Sequence, residues 1–227
     1  MDIYWGFESD KPKNNKRSYR DYKESKNSNT KKIKLFKEIN KMIYSIKNEV
    51  HFTEVVDNAS IEAVIKIVTK LINKNANKYE GVDGAEPTNE KYNITFVLDT
   101  PGGSCSAVLK FVDFLRMSKE RYPWVEYTSI ISGQVASAGT IFAISCDHRY
   151  MTKLAKSMIH DLSTGRSGKY THLKSYQMHL TDLHDTLVGI YVERSGKTKE
   201  EIEILLSKES WYNSEEYLAN GFIDKIV

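Results

Sequence analysis

The sequence predicts an α/β fold, a mostly parallel sheet covered by helices, and three observations predict it. From residue 59 onward, short apolar runs alternate with stretches of helical periodicity, the order of βαβ units. The strand candidates "NITFVLDT" (93–100) and "VEYTSIIS" (125–132) are each followed by small residues and glycine, as buried strands are where they hand over to a helix. No internal repeat and no second domain is visible, so residues 36–227 read as one domain in a chain of 227 residues, 40% hydrophobic and 28% charged.

Residues 1–35 stand apart. They hold ten Lys/Arg against five acids, a charge of +5, which leaves −2 for everything after them. The stretch 10–32 has no aliphatic residue, too little apolar surface to offset the entropy of ordering, so 1–35 is expected to be a disordered basic tail. A basic arm with interleaved tyrosines is one way to touch nucleic acid. A solvated Lys/Asn-rich tail explains the composition without it, so nucleic acid is not an expected partner.

The elements then follow in order. "ASIEAVIKIVTKLI" (59–72) has apolar residues at 61, 64, 65, 68, 71 and 72, one face of a helix. "NKNANKYEGVDGAEPTNEKY" (73–92) is polar and turn-rich and reads as a long surface loop. The strand 93–100 stops at "PGG", and "SAVLKFVDFLRM" (106–117) is helix-periodic again. After the strand 125–132 comes "GQVASAGT", a helix start. "SMIH" (157–160) reads as a short strand; 170–193, 198–207 and 214–220 read as helices. "NGFIDKIV" closes the chain with a helix stop at Gly221 and a last strand.

Composition excludes several function classes. No apolar run reaches the ~18 residues of a membrane span, and "MDIYWGFESD" lacks a signal-peptide core. A soluble, cytoplasmic protein with no membrane partner is expected. Cys105 and Cys146 are the only cysteines and are expected as reduced thiols rather than a disulfide framework. Neither Cys-x-x-Cys nor His-Glu-x-x-His occurs, so no metal and no cofactor is expected.

Two strand ends could carry chemistry, because sites in parallel α/β sheets form where strands end and helices begin. In "LDTPGGS" (98–104), Gly102-Gly103 exposes backbone N–H groups beside a helix start, an anion or oxyanion cradle; a plain tight turn is the competing reading. In "GQVASAGT" (133–140), Ser137 is surrounded by Ala136, Ala138 and Gly139, which leave room for a substrate carbonyl. A helix N-cap serine with small neighbours for packing is the competing reading there. The string is not Gly-x-Ser-x-Gly. Of six histidines, His160 ends a strand and is presented as a site base would be; His172, His179 and His184 fall on the long helix and read as surface or interface residues. Spacing alone does not choose an acid among Glu200, Glu201, Glu203, Glu209, Glu215, Glu216 and Asp224.

The order "DTPGG", "GQVASAG", "SMIH", then "WYNSEEYLANGFID", resembles the Clp protease proteolytic subunit family of the ClpP/crotonase superfamily, over about residues 43–227. The resemblance implies repeated β-β-α-type units and a helical handle at about 163–196, where Gly165 and Gly168 suit a mobile strand. It implies a serine endopeptidase with Ser137 as nucleophile and His160 as general base. Gly102 and Ala138 would supply oxyanion N–H groups, with Gly103 supporting the turn. The triad acid would be Glu209, where the family usually has Asp. It also implies heptameric or tetradecameric homo-oligomeric rings around a chamber, protein or peptide substrates, and a AAA+ unfoldase as partner.

The sequence departs from that family in four places: Asp161-Leu162 in place of Gln-Pro, Glu209 in place of Asp, the long 73–92 segment, and the basic tail. Three other readings therefore stand beside the peptidase: a phage head-maturation peptidase on the same fold, a catalytically degenerate ring subunit, and a crotonase-type acyl-CoA enzyme. The Ser/His pair disfavours the last.

Overall fold

A computed structural model of the chain describes residues 4–5, 42–81 and 89–227. Ten strands are described: β1 (Tyr4–Trp5), β2 (Ile43–Ile46), β3 (Glu49–Phe52), β4 (Tyr92–Thr100), β5 (Gly103–Ser104), β6 (Val125–Ala136), β7 (His148–Met151), β8 (Lys156–Ile159), β9 (Ser210–Tyr212) and β10 (Lys225–Ile226). Six helices are interleaved: α1 (Asn58–Glu80), α2 (Cys105–Arg121), α3 (Ala138–Ile144), α4 (Tyr170–Ser195), α5 (Lys199–Ser207) and α6 (Ser214–Ala219). Apart from Tyr4–Trp5, the expected tail over 1–35 lies outside the described residues.

The main sheet runs β10-β7-β6-β4-β3-β2, with β8 paired to the end of β6 and β9 paired to β8. Only β2/β3 and β8/β9 are antiparallel within it; the other pairs are parallel. The predicted α/β class with a mostly parallel sheet is the fold found. Apolar residues fall where burial requires them: Ile94, Phe96 and Leu98 of β4 and Phe111 and Val112 of α2 are buried. Phe142 of α3 meets Phe111 at 4.1 Å and Phe96 at 5.1 Å between ring centres. Sheet and helices are thereby joined by one aromatic cluster.

α1 starts at a capping box. Asp57 Oδ1 accepts the Ser60 N–H at 2.7 Å, and Ser60 Oγ accepts the Asp57 N–H at 2.9 Å. Ile61, Val64, Val68 and Ile72 form its buried stripe. The expected loop over 73–92 is corrected here: the helix continues to Glu80 and ends on Gly81 in the left-handed region, φ 68°. The extension is anchored by Tyr79, which is buried and stacked on Trp124 at 4.9 Å. Lys, Asn and Ala are tolerated in a helix, so a polar stretch with one aromatic anchor has loop composition and helical structure.

The C-terminal signature is mainly structural. Asn213 and Glu216 form the capping box of α6. Asp224 holds Arg149 through a bidentate ion pair, and Arg149 also donates to the carbonyls of Arg194 and Gly221. α4 buries Leu183, Leu187, Val188, Ile190 and Tyr191 only in its second half. Within the chain, residues 161–169, which include Gly165 and Gly168, pair with no strand among the described residues. No described helix is long and apolar enough to cross a membrane.

Candidate active site

The site is built where β4, β6 and β8 end together. β6 carries Val135 opposite Thr100 of β4 and Ala136 opposite Met158 of β8. The next residue, Ser137, donates its N–H to the Met158 carbonyl at 2.9 Å, then turns sharply into α3 with φ 58° and ψ −128°. Such a backbone is strained for a residue with a Cβ and is held by its surroundings. The ladder leaves His160 one step beyond Ile159, and its Nε2 lies 3.0 Å from Ser137 Oγ. Both side chains are buried, Ser137 fully and His160 with 7% exposure.

Thr140 steadies the turn. Its hydroxyl donates to the Ser137 carbonyl at 2.6 Å and lies against the Tyr191 hydroxyl of α4. The small residues around Ser137 have a steric reason: a Cβ on Gly139 would come within 2.5 Å of Thr100 Cγ2. Ala138 is the first residue of α3, so its N–H belongs to the group with no intrahelical partner.

The glycine turn lies directly against the nucleophile candidate. Gly102 has φ 90°, and a Cβ there would come within 2.6 Å of Ser137 Cβ and 2.5 Å of the Ala136 carbonyl. The Gly102 N–H, expected to be an oxyanion donor, is committed to Thr100 Oγ1 at 3.1 Å. The next backbone N–H is that of Gly103. Val56 donates to the Gly102 carbonyl at 2.8 Å and accepts from the Ser104 N–H at 2.7 Å, so the Gly103 N–H and C=O face away from Val56. Thr100, which also donates to the Glu54 carbonyl at 2.6 Å, went unnoticed in the sequence. A Thr two residues before a Gly is a recognisable turn-forming pattern. Nothing local could have pointed to Tyr191, 51 residues from Thr140.

Glu209 is brought near but does not reach. The β8/β9 register sets Ile159 opposite Ser210, which places Glu209 across from His160 just beyond the ladder. There the backbone turns to φ 47° and the side chain is exposed. Among the described residues no ion pair joins it to His160. Burial pulls the His160 pKa below its usual 6.5, while the charges of Glu209 and Asp161 and the Asp161 backbone oppose that shift; burial prevails. The imidazole is therefore neutral near pH 7 and able to accept a proton. Asp161 meets His184 of α4 at 3.4 Å. His172 and His179 are exposed on α4, away from the serine.

The thiols offer no rival nucleophile. Cys105 and Cys146 are free and buried; burial pushes the Cys105 pKa up to about 12 and raises that of Cys146 further. A groove of 780 Å³ between α1 and α2, lined by Ile65, Leu109, Phe114 and Met117 among others, contains none of the site residues.

The structure is an α/β protein with a buried hydroxyl–imidazole pair at strand ends, beside a glycine turn and a helix start. The chain belongs to the Clp protease family, whose profile matches residues 46–227. It is similar to the ATP-dependent Clp protease proteolytic subunits of Streptococcus gordonii and Streptococcus suis, each 35% identical over 150 residues, covering 64% of this chain and 72% of the relative. That of Streptococcus pneumoniae is 32% identical over the same shares. The chain is thus a peptidase of the Clp proteolytic-subunit type.

Proposed function

We propose that the chain is a serine endopeptidase in which Ser137 is the nucleophile and His160 the general base. The observation that carries this reading is the 3.0 Å contact between His160 Nε2 and Ser137 Oγ beside the Gly102-Gly103 turn. His160 takes the Ser137 proton as Oγ attacks a peptide carbonyl. The oxyanion that forms is held by the Gly103 and Ala138 N–H groups, with Gly102 keeping the turn close to the serine rather than donating. His160 then protonates the leaving amine, and water attacks the acyl-enzyme by the same proton path in reverse. Glu209 is the third member in an electrostatic sense, favouring the imidazolium through space.

The relatives' names support an ATP-dependent partner, and the family supports assembly into homo-oligomeric rings acting on unfolded protein or peptide in a cytoplasmic setting. The exposed Glu209 is the one observation favouring a catalytically degenerate ring subunit. Labelling with a fluorophosphonate and mapping of the adduct separates the two. A peptidase carries the adduct on Ser137 and hydrolyses unstructured peptides. An unlabelled, correctly assembled chain overturns the peptidase reading.

A further inference from the structure

Tyr191 reaches the nucleophile turn from another helix. It sits on α4, fully buried, with its ring edge-on to Phe222 at 5.7 Å, and its hydroxyl meets that of Thr140. Proton counting gives this bond its direction. Thr140 has one hydroxyl proton and spends it on the Ser137 carbonyl at 2.6 Å, so towards Tyr191 its oxygen accepts and the phenol donates. The bond from Thr140 to Ser137 is the local habit of a threonine in the first turn of a helix. The bond from Tyr191 spans 51 residues and has no local cause. Three residues further along α4, on the same face, Arg194 donates to the Ile144 carbonyl at 3.0 Å and to that of Cys146. The seven-residue helix α3 is thus tied to α4 at both ends.

We propose that Tyr191 is a positioning residue for the nucleophile, acting through Thr140. This rests on the peptidase reading. Ser137 holds φ 58° and ψ −128°, a conformation that a residue with a Cβ keeps only where its surroundings impose it. Two clamps impose it. On the φ side, the Ser137 N–H is bound to the Met158 carbonyl at 2.9 Å. On the ψ side, the Ser137 carbonyl accepts the Thr140 N–H at 2.9 Å and the Thr140 hydroxyl. A threonine hydroxyl left to itself has more than one staggered position to turn to. Tyr191 removes that freedom, because Thr140 Oγ1 meets the phenol only while it stays in the position that serves Ser137. Hydrogen bonds in such a chain also strengthen one another. Fixing both torsions fixes the direction of the Ser137 Cα–Cβ bond, and with it the 3.0 Å contact from Oγ to His160 Nε2. The effect of Tyr191 therefore belongs in kcat rather than in peptide binding.

The test is a double-mutant cycle in the full chain. Tyr191→Phe deletes one hydroxyl and keeps the ring, Thr140→Val deletes the other at nearly equal shape, and a third variant carries both. Four quantities are read: kcat, KM and the pH profile on a short unstructured peptide, and the rate of fluorophosphonate labelling at Ser137. Tyr191→Phe is expected to lower kcat and labelling about fivefold, the factor that one hydrogen bond sets, with KM within about twofold of the parent. Its acid limb is expected to stay in place, since no charge near His160 changes. Thr140→Val is expected to lower kcat further, because the Ser137 carbonyl then loses its hydroxyl bond. The double variant is expected to match Thr140→Val, since Tyr191 has nothing left to act through. Parental kcat in Tyr191→Phe is what a purely core-filling ring would give; it overturns the inference and leaves the peptidase reading intact. Losses that multiply in the double variant overturn it as well, by showing that Tyr191 does not act through Thr140. Should Thr140→Val fail to fold, kcat against KM in Tyr191→Phe decides alone. Absence of labelling at Ser137 in the parent chain overturns both readings.

Discussion

Two corners of the same site are built in opposite ways. At the Ser137 corner the positions are set by backbone and one hydroxyl: the β6/β8 ladder, the bond from Ser137 N–H to Met158, the Thr140 hydroxyl on the Ser137 carbonyl, and a glycine turn with no room for a Cβ. At the Glu209 corner the β8/β9 register brings the chain alongside His160, but the side chain ends in solvent at a left-handed residue. The serine and histidine are preorganised, whereas Glu209 reaches the imidazole only through its charge. Chemistry that depends on the first corner should therefore be intolerant of substitution, and chemistry that depends on the second should bend.

The largest effect is expected at the serine. Ser137→Ala should abolish labelling and lower peptide turnover by about 10⁴-fold or more, since removal of the nucleophile leaves only binding and oxyanion contacts. The fold should persist, because the change adds no atom. Turnover that survives Ser137→Ala would mean that a group other than Ser137 is the nucleophile. Gly102→Ala comes next. Its Cβ would clash with Ser137 Cβ and the Ala136 carbonyl in a backbone that side chains rarely adopt. A loss of about 10²–10³ in kcat is expected, the scale of one lost oxyanion donor, because a displaced Gly102 carries the adjacent Gly103 N–H out of place, together with a lower melting temperature. Measuring kcat and Tm on the same sample separates a disturbed turn from an unfolded chain.

How legible each corner was in the sequence follows from the same contrast. "DTPGG", "GQVASAG" and "SMIH" are local strings, and the ladder that joins them is what their apolar alternation specifies, so the Ser137–His160 contact could be anticipated. Glu209 could be placed only by resemblance, because its position depends on the turn between α5 and β9. Gly102 was expected to donate because the sequence does not show that Thr100 Oγ1 takes its N–H. α1 was cut short at residue 72 because polar residues with a single aromatic anchor carry no helical period. The pairing of β1 with β5 left no sign, since two residues beside a stretch without aliphatics give no strand pattern.

An intermediate effect is expected from pH. Burial lowers the His160 pKa below 6.5, so the base form prevails near neutrality and kcat/KM should fall only as pH drops through that lowered value. Below the midpoint the loss should approach about tenfold per pH unit, as for any single essential base. Stability carries the same sign. Between the folded and unfolded pKa values the unfolded chain binds more protons, so His160 contributes a loss of stability as pH falls below about 6.5, and none above it. A limb centred above 6.5 would mean that a carboxylate holds the ring more firmly than the exposed Glu209 does.

The smallest effect is expected at Glu209, and it is the most discriminating. A buried triad acid hydrogen-bonded to the imidazole supports about 10⁴ in rate through the tautomer it fixes. Glu209 has no such bond to His160, so Glu209→Gln should lower kcat by less than about tenfold, the scale of a partly screened charge. Its charge nevertheless raises the His160 pKa against burial. Removing that charge should therefore move the acid limb of kcat/KM to lower pH, while the limb of the parent stays in place. A small rate change with a downward limb shift is the signature of action through space. A loss near 10⁴ with no limb shift would mean that Glu209 closes onto His160 when substrate is bound, and that the two corners become one.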